Sequence, residues 1–140
     1  MNILLAVDGS AHTKKMLAYL VTHEELLAPS NHFTLMTVQP QLPPRARSMV
    51  GKEAVEVYQR EEAEKVLGPA SQFLMRHGIN AKTVAKVGHA GEAICKVAES
   101  GKYDLLVMGS HGHGLFGNLV MGSVATQVLW QSKVPVLLVR

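Results

Sequence analysis

Short apolar runs alternate along the chain with longer amphipathic stretches, and this alternation predicts its elements. The runs lie at 3–7, 33–38, 81–87, 105–108 and 134–139. The first, fourth and fifth are nearly continuous in Leu, Val and Ile, the pattern of strands buried on both faces. The third interleaves Ala81, Val84, Ala85 and Val87 with Lys82, Thr83 and Lys86, which reads as a strand nearer the sheet edge.

Four helices are expected between the runs. Ser10 caps the first, with Ala11, Leu17, Leu20, Val21 and Leu27 as its apolar positions. The second spans 52–77 with Gly78 as its stop, and Gly68-Pro69 should kink or interrupt it. Gly91-Glu92 opens the third, which ends near Ser100-Gly101. Ser123 opens the fourth, which carries Val124, Val128 and Leu129 and stops before Pro135. Strictly alternating strands and helices predict an α/β fold with a parallel sheet, helices on both faces and right-handed connections. Such sheets bind ligands at the carboxyl ends of their strands. The stretch 39–51, with Pro40, Pro43, Pro44, Arg45 and Arg47, reads as a surface loop at that edge.

Composition narrows the class. A length of 140 residues, 47% hydrophobic and 18% charged, predicts one globular domain over 1–140 and no disordered tail. The net charge of +3 is spread over Lys14, Lys15, Arg45, Arg47, Lys82, Lys86 and Arg140, so no nucleic-acid footprint is expected. Cys95 is the lone cysteine, which fits a reducing compartment. Neither a signal peptide nor a membrane-length apolar run is recognised, so the expectation is a soluble cytoplasmic protein.

The strongest chemical signal is the segment 108–123, which holds five glycines between a strand and a helix. Glycines there let backbone N–H groups approach a ligand, and the helix N-terminus that follows favours an anion. A phosphate can accept from the N–H groups of Ser123 and Val124 and from the Ser123 hydroxyl. Two familiar loops fit poorly. Gly112-x-Gly114-x-x-Gly117 matches the dinucleotide fingerprint by letter, yet no acidic residue follows it to hold a ribose. Gly117-x-x-x-x-Gly122-Ser123 lacks the lysine of a P-loop. Asp8, at the end of the first strand, can accept from ribose hydroxyls or an adenine amine, or can serve only to start the first helix.

The spacing Gly109-x-x-Gly112, nine residues, then Gly122-Ser123 resembles the nucleotide-binding signature of the universal stress protein family. Val124-Ala125, the closing 134–139 run and the opening Ile3-Leu4-Leu5-Ala6-Val7-Asp8-Gly9-Ser10 extend the likeness. The resemblance implies a single-domain, Rossmann-like three-layer sandwich with a five-stranded parallel sheet in the order 3-2-1-4-5. It implies the ATP-binding branch, with Mg2+ as a companion of ATP, and antiparallel pairing of 134–139 across a homodimer. Carried over by position, Ala6, Val7 and Asp8 would lie against the adenosine, and the Val38 backbone would meet the adenine edge. Met108 and Gly109 would sit under base and ribose. Gly112, Gly122, Ser123 and Val124 would hold the phosphates, with His111 and His113 in the same loop. One departure stands out: Ala90 occupies a place where the family usually has proline.

Other candidates are weaker. His111 and His113 can bind a metal or move protons, but no third ligand stands out among His12, His32 and His89. Ser10 and Ser123 read as helix caps, Cys95 as a small buried apolar residue on the third helix, and Trp130 as packing at a helix end or in an interface. The expected function is a stress-response or signalling module that holds an adenine nucleotide, with at most slow hydrolysis. The alternatives are an interaction module without nucleotide, or a nucleotide hydrolase or transferase using His111 and His113.

Overall fold

The computed structural model describes residues 1–111 and 121–140. Five strands, β1 (Asn2–Ala6), β2 (His32–Gln39), β3 (Lys82–Val87), β4 (Leu105–Gly109) and β5 (Val136–Val139), form one parallel sheet. Their order, β3-β2-β1-β4-β5, matches the expected 3-2-1-4-5 and leaves the Lys-rich third strand at an edge. The helices are α1 (Ala11–Thr22), α2 (Pro44–Val50), α3 (Lys52–Arg76), α4 (Ala90–Ser100) and α5 (Ser123–Gln131).

Alternation along the strands divides the core in two. Ile3, Leu5, Val7, Phe33, Leu35 and Val107 face α1 and α3. Leu4, Ala6, Met36, Leu106 and Met108 face α4 and α5. The chain adds strands on one side of β1 and then crosses to add β4 and β5 on the other. Right-handed crossovers therefore put the earlier helices on one face and the later ones on the opposite face. The reversal between β1 and β4 opens a crevice at their carboxyl ends.

Several local expectations shift. Ser10 caps α1 as anticipated, its side chain accepting from Thr13 N. Leu27 is not in α1, which stops at Thr22. His23 ends it in an extended conformation, its Nδ1 donating to Tyr19 O at 2.7 Å, and Glu24–Leu27 forms a separate 3-10 turn. Gly68-Pro69 does not break α3, which runs unbroken through Pro69. Pro69 removes one helical hydrogen bond, but Ala63, Leu67, Ala70 and Leu74 bury one continuous stripe of this helix. The 39–51 stretch is not wholly loop, because Pro44 starts α2 at the position where its missing N–H costs nothing. Ser123 opens α5 as expected, but the cap position is Gly122 and not Ser123, and no side chain caps the helix. The last strand starts at Val136, after a turn in which Ser132 Oγ donates to Val134 O. Trp130 does not pack within the chain and is 89% exposed. Cys95 is half-buried, its Sγ 4.0 Å from Val128 O across the α4–α5 contact. Among the described residues no helix is long and apolar enough to cross a membrane.

Candidate functional site

Parallel register sets Met36, Ala6 and Met108 side by side in one row on the α4–α5 face of the sheet. Beyond this row the strands end while the helices begin, leaving a cavity of about 320 Å³. Its floor is Ala6, Met36, Val38 and Met108; α4 adds Ala90 and Ile94; Gly122, Ser123, Val124 and Ala125 close it at the start of α5. The volume lies in the usual range for small-molecule sites, roughly 300–1,000 Å³. A larger hollow beside α2 and α3 is an open surface groove by comparison, bordered by Pro44, Val55 and Val87 and by the exposed Lys52, Glu56 and Ser48.

All ten described candidates, Ala6, Val7, Asp8, Val38, Met108, Gly109, His111, Gly122, Ser123 and Val124, line this one cavity. Gly112 and His113 lie outside the described residues. Asp8 stands at the rim, where Gly9 turns the chain with φ of +80°. The Asp8 Oδ1 accepts from Ser10 N at 2.9 Å and from Thr13 Oγ1 at 2.8 Å. Asp8 N in turn donates to Thr13 Oγ1 at 3.0 Å. The carboxylate thus organises the start of α1 and also borders the cavity.

Gly109 allows the end of β4 to press against α1. A Cβ there would stand 3.0 Å from His12 Cβ and 3.1 Å from His12 O, and a helix backbone cannot swing aside. Next to it, the buried Ser110 ties three elements together. Its N–H donates to Val139 O at 2.9 Å and its carbonyl accepts from Gly122 N at 2.9 Å. This clamp sets the N-terminus of α5 against the strand ends. The N–H groups of Ser123, Val124 and Ala125 precede the first intrahelical bond, Thr126 N to Gly122 O. They point the positive end of the helix dipole at the cavity rim.

Two imidazoles meet at the same end. The His12 and His111 rings lie 4.8 Å apart at 32°. His111 Nδ1 shares a 2.8 Å hydrogen bond with Ser110 Oγ. Among the described residues no group of three or more His, Cys, Asp or Glu side chains stands close enough to hold a metal ion.

The family model described as the universal stress protein family matches residues 1–140. The chain belongs to the universal stress protein family. It is 34% identical over 140 residues to a universal stress protein of Thermus aquaticus, covering 99% of this chain and 98% of that one. It is 35% identical to universal stress protein Slr1230 of Synechocystis sp., covering 99% of this chain but 42% of the relative, so it spans less than half of that longer protein. Among solved structures, protein MJ0577 superposes with a TM-score of 0.79 at 27% identity, covering 99% of this chain and 94% of that one. UspA from Lactobacillus plantarum shares the fold with a TM-score of 0.79 at 21% identity, covering 100% of this chain and 97% of that one.

Within this universal stress fold, Thr13, Met36, Ala90, Ile94 and Ala125 also line the cavity and were not named as site residues from the sequence. Met36 had a usable signal, since it lies two positions before Val38 and shares its strand face. Ala90 and Ile94 are one helical turn apart at the start of α4. Ala90 is the first residue of α4.

Proposed function

We propose that this universal stress protein binds an adenine nucleotide, with ATP as the preferred ligand, in the cavity between the strand ends and α5. The observation that carries this reading is convergence: apolar strand ends, a rim carboxylate and an uncapped helix N-terminus border one 320 Å³ cavity. The apolar lining of Ala6, Val38, Met108 and Ile94 suits a flat heteroaromatic base. Asp8 offers carboxylate oxygen to ribose hydroxyls, as a ribose acceptor at a strand end does. The first turn of α5, with Gly122, Ser123 and Val124, suits phosphate oxygens. Two proteins of this fold have been solved with adenine nucleotides: a universal stress protein with cAMP, and an Arabidopsis thaliana family member with AMP. Mg2+ would enter on the phosphates of ATP.

Holding the nucleotide, not turning it over rapidly, fits the site. Asp8 Oδ1 already accepts from Ser10 N–H and the Thr13 hydroxyl, which suits it to positioning more than to activating water. In this reading the chain is a cytoplasmic stress-response or signalling module with at most slow hydrolysis. Its β5 edge, with half-buried Val136, Leu137 and Leu138 and exposed Leu129 and Trp130 nearby, supports a homodimer paired through 134–139. A single monomeric species in sedimentation at micromolar concentration would remove that assembly.

The nucleotide claim is tested by titration calorimetry with ATP, with and without Mg2+, on the wild type and Gly122→Val. Gly122 has φ of −60° and ψ of 152°, which valine also adopts, so the substitution adds bulk at the cavity without backbone strain. Micromolar binding lost in the variant supports the site. Absence of binding by the wild type refutes it.

A further inference from the structure

Two buried imidazole nitrogens, one on a ring that lines the cavity and one on the ring beside it, have no hydrogen-bond partner among the described residues. His111 lines the cavity, and its Nε2 is buried with no hydrogen-bond partner among the described residues. His12 Nδ1, on the neighbouring ring, is likewise buried and unpartnered. Buried polar atoms are almost always paired, so two orphans side by side mark a place where a ligand or a proton is missing.

From these observations we propose that His12 and His111 form a proton-coupled phosphate sensor, so that nucleotide binding takes up a proton and strengthens as pH falls. The proposal rests on the nucleotide-binding reading above. Ser110 Oγ can donate to His111 Nδ1 or accept from it, so it supports either neutral tautomer or the cation. An anion beside His111 Nε2 favours the charged ring: a phosphate oxygen accepts from Nε2–H and offsets its positive charge.

After β1 the facing group is Asp8, engaged with Ser10 and Thr13. On α1 itself Lys14 and Lys15 are exposed, and after β5 Arg140 is exposed. On α3, which packs against α1, Lys65 pairs with Glu62 at the surface. Helix α5 carries no charged or titratable side chain, while His89 and Glu92 begin α4 on the other side of the cavity. Apart from Asp8 and the imidazole pair, these groups are committed, exposed or on the far wall. Imidazole is the side chain whose charge changes near neutrality.

The test measures ATP and adenosine binding by calorimetry, in buffers of different ionisation enthalpy, for the wild type, His111→Asn and His12→Asn. The expected result is net proton uptake with ATP near pH 7, beyond that of the variants, and wild-type affinity for ATP rising about tenfold from about pH 8 to about pH 6. The difference between wild type and variants removes ATP's own titration. Adenosine, which has no phosphate, should bind the wild type with no extra proton, and circular dichroism shows whether the variants are folded. Equal proton uptake by wild type and both variants overturns the sensor while leaving nucleotide binding intact. Failure of the wild type to bind either ligand overturns both readings.

Discussion

Replacing Thr13 by valine keeps the side chain's shape and removes its hydroxyl. In the native chain that hydroxyl donates to Asp8 Oδ1 at 2.8 Å and accepts from Asp8 N at 3.0 Å, and Thr13 is buried. Valine leaves the Asp8 N–H without this partner and takes one donor from the carboxylate. A part-buried donor left unpaired costs about 1–3 kcal/mol, and a hydrogen bond to a charged group contributes about 1.5–3 kcal/mol. The extra methyl returns about 0.8 kcal/mol through burial. The net loss is about 2–5 kcal/mol, a large part of the roughly 5–15 kcal/mol that stabilises a domain. For a chain of this size it lowers the melting temperature by at least about 6 °C. Thermal and urea denaturation of the wild type, Thr13→Val and Thr13→Ser measure this directly. Serine keeps the hydroxyl and should stay close to wild type. If valine is as stable as threonine, or serine is as damaging as valine, the Asp8–Thr13 bonds do not stabilise the start of α1 and the reasoning fails.

Other substitutions probe separate parts of the fold. Pro69→Ala should stabilise the chain by about 1–2 kcal/mol, since alanine restores a hydrogen bond inside continuous α3 and this outweighs the gain in unfolded-state entropy. A lower urea midpoint for Pro69→Ala would show that the proline ring makes a packing contribution instead. At Cys95, burial first and the nearby Glu99 second push the thiol upward, and an acid raised in this way stays protonated further into the alkaline range. Alkylation of Cys95 in the folded chain should therefore be slower than in the urea-unfolded chain near neutral pH, and should accelerate as pH rises past the ordinary thiol range. Equal rates in both states at neutral pH would contradict this.

The alternation of elements was legible because strand burial and helix amphipathicity repeat over a few residues. Near-continuous Leu, Val and Ile marked β1, β4 and β5, and the lysines of 81–87 marked an edge strand. Ser10 declared itself as a cap, and Gly122-Ser123 marked the start of a helix. Those signals depend only on neighbours in sequence, so they survive without a fold. Local rules failed where packing competes with propensity. Pro69 does not interrupt α3 because one buried stripe spans both sides of it, and Gly122 in place of Ser123 caps α5 because Ser110 O holds its N–H. Only the tertiary structure decided which distant residues share a cavity. Register aligned Met36, Ala6 and Met108, helix packing brought Ala90 and Ile94 over them, and the close approach at Gly109 set His12 beside His111. Sequence alone named the glycines and the carboxylate, because a turn or a strand end requires those residue types. It left the His12–His111 pair hidden, because rings distant in the chain meet only once β4 has packed against α1.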